Sequence, residues 1–125
     1  MVDLMFCSTP ARLIHLPETI KRFVSELGYM PFHPFDSFPY KYFEGKFGRD
    51  IVKPVYLRGV EFCDRFGLFG VSEGSLRELD HAIRLGKPIE LYHERFDTDV
   101  WREEYEKHGE EYNYPIERVG KLLVS

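Results

Sequence analysis

The stretch CDRFGLFGVSEGSLRELDHAIRLGKPIELY, Cys63 to Tyr92, decides how the rest of the chain is read. Phe66 to Val71 is a short apolar run bounded by polar residues, the pattern of a buried strand. Ser72-Glu73-Gly74-Ser75 reads as a turn. Ser75 then stands where a helix cap belongs, and Glu78, three residues on, completes a Ser-x-x-Glu capping box. Leu76, Leu79, Ala82 and Ile83 share one helical face. Gly86 is a natural stop, followed by Lys87 and Pro88. Ile89, Leu91 and Tyr92 open another strand. Strand, helix and strand in so short a span make a βαβ unit, which implies parallel pairing and a right-handed crossover. Ligands of such units collect beyond the carboxyl ends of the strands, where the Ser72–Ser75 turn falls.

Working back to the N-terminus, Val2 to Phe6 reads as the first and central strand. Cys7-Ser8-Thr9-Pro10 follows as a turn, with Ser8 or Thr9 placed to cap the next helix. A first helical turn is expected near Arg12–Leu16 and a main helix from Pro17 to Leu27. Leu16, Ile20, Phe23, Val24 and Leu27 form its apolar face, and Gly28 ends it. Tyr29 to Phe32 reads as a second, Pro-limited strand. His33 to Gly48 is rich in Pro, Gly and aromatics without a clean period, and reads as a long loop. Two uses fit it: a hydrophobic cluster packing the domain or a subunit interface, and a lid over a flat aromatic ligand. A further helix is expected from about Gly48 to Glu61.

Beyond Tyr92 the chain becomes strongly charged and helix-prone from Asp97 to Glu111. Asn113-Tyr114-Pro115 breaks this pattern, and Ile116 to Val124 suits a last helix or strand. No repeat or linker divides the sequence. Its 125 residues are therefore read as one domain, 1–125, with a C-terminal helical extension from about 97. The alternation of strands and helices indicates an α/β fold with a mostly parallel central sheet.

A net charge of -4 argues against a basic surface for a nucleic-acid polymer. Nothing in the sequence is long and apolar enough to span a membrane, and no signal peptide is visible, so a cytoplasmic location is expected. Cys7 and Cys63 are far apart, and the histidines lack metal-ligand spacing, so no metal site is assigned. GxSxG, P-loop and GxGxxG patterns are absent, which leaves no motif for serine hydrolysis, NTP hydrolysis or a dinucleotide; no cofactor is expected.

The turn after the first strand (Ser8, Thr9), the region of Asp50, and the segment Ser72 to Glu78 are the places where chemistry would gather. In a parallel sheet the first and third lie at the same edge, where two helix N-termini suit an anion. Glu78 stands out as a carboxylate that would point into the crevice, against a purely structural role in the capping box. Glu73 and Asp50 are further carboxylates near it.

Phe6-Cys7-Ser8-Thr9-Pro10, Asp50 opening a helix, Cys63-Asp64, and Ser72-Glu73-Gly74-Ser75-Leu76-Arg77-Glu78 leading to Ala82 and Gly86-Lys87-Pro88-Ile89 together resemble the nucleoside 2-deoxyribosyltransferase family, which includes deoxynucleoside 5'-monophosphate N-glycosidases. The resemblance spans about positions 2 to 92. It implies a flavodoxin-like three-layer sandwich and a homodimer or higher homo-oligomer. It implies a small nucleoside or nucleotide as substrate, and cleavage or transfer of the N-glycosidic bond through a deoxyribosyl ester of Glu78. It also implies Asp50 as an acid at the leaving base, Ser72 and Ser8 near the 5'-phosphate or sugar, and Glu73 near the base. Thr9, Gly74 and Ser75 complete the expected substrate-binding set. The short loop before Glu78, Arg77 beside it and the aromatic 33–48 insert depart from the family pattern. A non-catalytic nucleotide-binding module and an interaction protein built on the aromatic loop are the competing readings.

Overall fold

The computed structural model describes residues 1–13, 15–37 and 45–97. Four strands, β1 (Leu4–Ser8), β2 (Met30–Phe32), β3 (Arg65–Leu68) and β4 (Ile89–Leu91), pair in the order β2-β1-β3-β4. All three pairings are parallel. Between them lie a 3-10 turn (Ala11–Leu13), α1 (Pro17–Glu26), α2 (Pro34–Ser37), α3 (Arg49–Phe62) and α4 (Glu73–Arg84), with α5 (His93–Phe96) after β4. This is the α/β fold expected: a flavodoxin-like sandwich with an all-parallel centre.

Strand side chains alternate between faces, and each face builds its own core. Phe6, Phe66 and Leu68 pack with Val60 of α3 and Leu76, Leu79 and Ala82 of α4. Met5, Cys7 and Phe69 pack with Ile20 and Val24 of α1. Thus α1 covers one face, while α3 and α4 cover the other. The chain leaves β1 outward to β2 and returns across it to β3. The two crossovers diverge at β1, and a crevice opens at that point.

Several boundaries differ from expectation for physical reasons. β1 begins at Leu4 and runs on through Ser8, because Cys7 and Ser8 still pair with Gly67 and Leu68; Val2 is exposed. β3 ends at Leu68, yet Phe69 and Val71 remain fully buried as the chain turns over the sheet edge. β2 is one residue shorter than expected, and α1 stops at Glu26, leaving Leu27 exposed. Gly28 and Gly86 end α1 and α4 with φ of 93° and 71°, a conformation that glycine adopts without strain. α3 matches the helix expected near 48–61. The supposed loop from His33 folds into α2 at Pro34–Ser37; positions 38–44 lie outside the described residues, as does the C-terminal extension from 98 onward.

The largest correction concerns α4. Ser72 to Ser75 is not a separate turn: the helix starts at Glu73, and Ser72 is its N-cap, its Oγ accepting from the Ser75 amide at 3.2 Å. Glu78 therefore lies in the second turn and is no part of a capping box.

A buried carboxyl group at the sheet switch point

The crevice has a volume of about 210 Å³ and is lined from four directions. Thr9, Pro10, Ala11 and Arg12 come from the segment after β1, and Pro34 and Phe35 from α2. Val52, Lys53 and Tyr56 come from α3, and Ser72, Glu73, Gly74, Ser75 and Glu78 from the start of α4. Two of these elements follow the carboxyl ends of adjacent central strands, so the sheet itself sets the spacing of the walls.

Glu78 is 8% exposed at the edge of this crevice. Ser8, the last residue of β1 and fully buried, donates its hydroxyl to Glu78 Oε1 at 2.7 Å. Burial disfavours the carboxylate and pushes the Glu78 pKa up to about 7; the Ser8 hydrogen bond and the charge of Arg77 pull it back down. The result is a carboxyl group that changes charge near neutrality, with Oε2 bearing no hydrogen bond among the described residues.

Ser8 thus faces the carboxyl group rather than open space. Thr9 lines the crevice, donating to Cys7 O at 3.2 Å and lying 3.1 Å from His33 Nε2. Ser72 and Ser75 are joined by a hydroxyl bond of 3.2 Å and line the crevice with Gly74. Glu73 also lines it, ion-paired to Arg77 at 3.1 Å and to Lys53 at 3.7 Å. The structure brings these residues together around Glu78. It does not bring Asp50, which sits exposed in the first turn of α3 and is not among the residues lining the crevice.

Sequence reasoning passed over Arg12, Lys53, Tyr56, His33 and Phe35. Arg12 and Lys53 carry the positive charge of the crevice. Arg12 Nη2 donates to Val71 O at 2.6 Å and to the Asp97 carboxylate, which also accepts from Val71 N at 3.1 Å. A basic residue directly after the first strand-end turn was a usable signal; the tie to Asp97, far along the chain, had none. Among the described residues no group of three or more His, Cys, Asp or Glu side chains is placed to hold a metal ion. No described helix is long and apolar enough to cross a membrane.

Fold and site together define a parallel α/β protein with a buried carboxyl group, hydrogen-bonded to Ser8, at the strand switch point. No family model, curated protein or solved structure matches the chain.

Proposed function

We propose that the protein cleaves or transfers the N-glycosidic bond of 2'-deoxynucleosides or their 5'-monophosphates, with Glu78 as nucleophile. The observation that carries this reading is the setting of Glu78 beside the crevice, with one oxygen held by Ser8 and the other bearing no hydrogen bond among the described residues. A carboxylate with a fixed direction and little hydration is a competent nucleophile. Its Oε2 attacks C1' of the sugar, the C1'–N bond breaks, and the bonding pair leaves on the base nitrogen, which takes a proton from solvent. The glycosyl ester is then opened at C1' by water or by a second base, which regenerates the carboxylate with overall retention.

Phe35 and Tyr56 offer flat apolar surface for a base, and Lys53 and Arg12 offer charge for a phosphate. Glu73 lines the same crevice, ion-paired to Lys53 and Arg77. Self-association belongs to the same reading; exposed Ile51 and Phe62 on α3 support it, and sedimentation velocity measures it.

The test is incubation with a panel of 2'-deoxynucleosides and 5'-monophosphates, with and without a free acceptor base, read by chromatography. Base release by the wild type that vanishes in Glu78→Ala is expected. Release that persists in Glu78→Ala would remove Glu78 from the chemistry. If no substrate releases base but one raises the melting temperature, the crevice is a binding module.

A further inference from the structure

The proton of the Thr9 hydroxyl is already committed. The amide N–H of Phe35 points at His33 Nδ1 at 3.3 Å, so that nitrogen accepts. His33, 2% exposed, is then the neutral tautomer carrying its hydrogen on Nε2, and Nε2–H donates to Thr9 Oγ1. Thr9 in turn donates to Cys7 O. A hydroxyl has one hydrogen and two lone pairs. One lone pair takes His33, the hydrogen goes to Cys7, and among the described residues a single lone pair remains. Thr9 lines the crevice, so any hydrogen bond its hydroxyl makes with a ligand there is as an acceptor.

We infer that Thr9, locked by His33, is a specificity-determining acceptor that reads a hydroxyl of the sugar. The placement follows from the chain: Thr9 is the immediate neighbour of Ser8, whose hydroxyl holds Glu78. Thr9 and Glu78 line the same crevice, so a sugar whose C1' meets Glu78 can set a hydroxyl against this segment. An ionised phosphate, which carries only acceptors, is repelled from the same lone pair and is left to Arg12 and Lys53. This inference rests on the glycosyl-transfer reading for the identity of the ligand. For a 5'-monophosphate only the 3' hydroxyl remains as a donor; for a free nucleoside the 5' hydroxyl is the second source.

The experiment is calorimetric binding to the full chain bearing Glu78→Gln, which separates recognition from turnover. The probes are a 2'-deoxynucleoside, its 3'-deoxy analogue and its 5'-deoxy analogue. Leaving a buried acceptor unmet costs affinity, so the analogue lacking the hydroxyl that is read binds roughly 10-fold more weakly than the parent. Which analogue suffers identifies the hydroxyl. Adding Thr9→Val abolishes the discrimination, and Thr9→Ser, which keeps the hydroxyl, preserves it. Equal binding of all three probes, failure of all three to bind, or discrimination undiminished in Thr9→Val overturns the inference. If Thr9→Val does not fold, the analogue series and Thr9→Ser decide it. Discrimination without any base release by the wild type would sink the catalytic reading and leave the acceptor standing.

Discussion

At the scale of single residues, Glu78 makes two predictions of opposite character. The first concerns stability and does not depend on any activity. Below its ordinary value of 4.5, Glu78 is protonated in both folded and unfolded chains. Between 4.5 and about 7 the unfolded chain releases the proton and the folded chain retains it, so stability falls with rising pH and levels off above about 7. At ~1.4 kcal/mol per pH unit the loss is about 3 kcal/mol. Glu78→Gln keeps an acceptor for Ser8 and never ionises. Its melting temperature therefore gains on the wild type between pH 4.5 and 8, by on the order of 10 °C. A gain that is constant across this range would mean that Glu78 is not desolvated. The second prediction concerns catalysis, where the carboxylate is the attacking form: kcat/KM climbs to a plateau through a pKa near 7. Ser8→Ala removes a bond that favours the charged form, so the climbing limb moves to higher pH. An unshifted limb with lower kcat would assign Ser8 a purely steric role.

At the scale of elements, α3 contains a glycine in mid-helix, a position where alanine ordinarily gains about 1 kcal/mol. Gly59 is an exception because of its neighbours. A Cβ there would lie 2.9 Å from Phe6 Cε2 and 3.1 Å from Phe32 Cε1. Phe6 stacks on both Phe32 and Phe66, so the rings have little room to yield. Gly59→Ala is expected to lower stability by about 1–3 kcal/mol in urea unfolding, and a stabilised variant would show that α3 slides freely over β1. The sequence exposed α3 as a helix but not this contact, and the contrast is general in the molecule. Periods of 2 and 3.6 are local, so β1, α1, β3, α4 and β4 were all legible, as was the arrival of Ser8 and Glu78 at one sheet edge. Ends were less so: Ser72 and Ser75 are equally good caps on paper, and the choice is made where the chain leaves the buried run Phe69–Val71. Choosing Ser75 put Glu78 in a capping box; choosing Ser72 puts it one turn deeper and against Ser8. Asp50 was expected near the crevice from its place at the start of a helix, with its acid role implied by the resemblance, and local sequence cannot say which way an exposed first-turn side chain faces.

At the scale of the molecule, the crevice wall is tied together from three separated parts of the chain. Asp97, 6% exposed, accepts from the Val71 amide and from Arg12, and Arg12 also bonds Val71 O. The 3-10 turn after β1, the turn after β3 and the segment after α5 are thereby joined around one carboxylate. Gly70 is pressed into the same junction: a Cβ there would lie 2.6 Å from Pro10 Cδ and 2.9 Å from Asp97 Oδ2. Asp97→Ala removes the acceptor for a buried amide and half of a charge-assisted pair. Arg12 keeps a third of its side-chain surface in solvent, which moderates the loss to roughly 2–3 kcal/mol. Because Arg12 is the group released, the effect on function should fall on ligand binding rather than on the chemical step. KM for a 5'-monophosphate rises in Asp97→Ala while kcat holds, and Asp97→Glu, which keeps the charge but displaces it, falls between. A drop in kcat with KM unchanged would mean that the junction acts through Glu78 instead, by shifting α4 against β1.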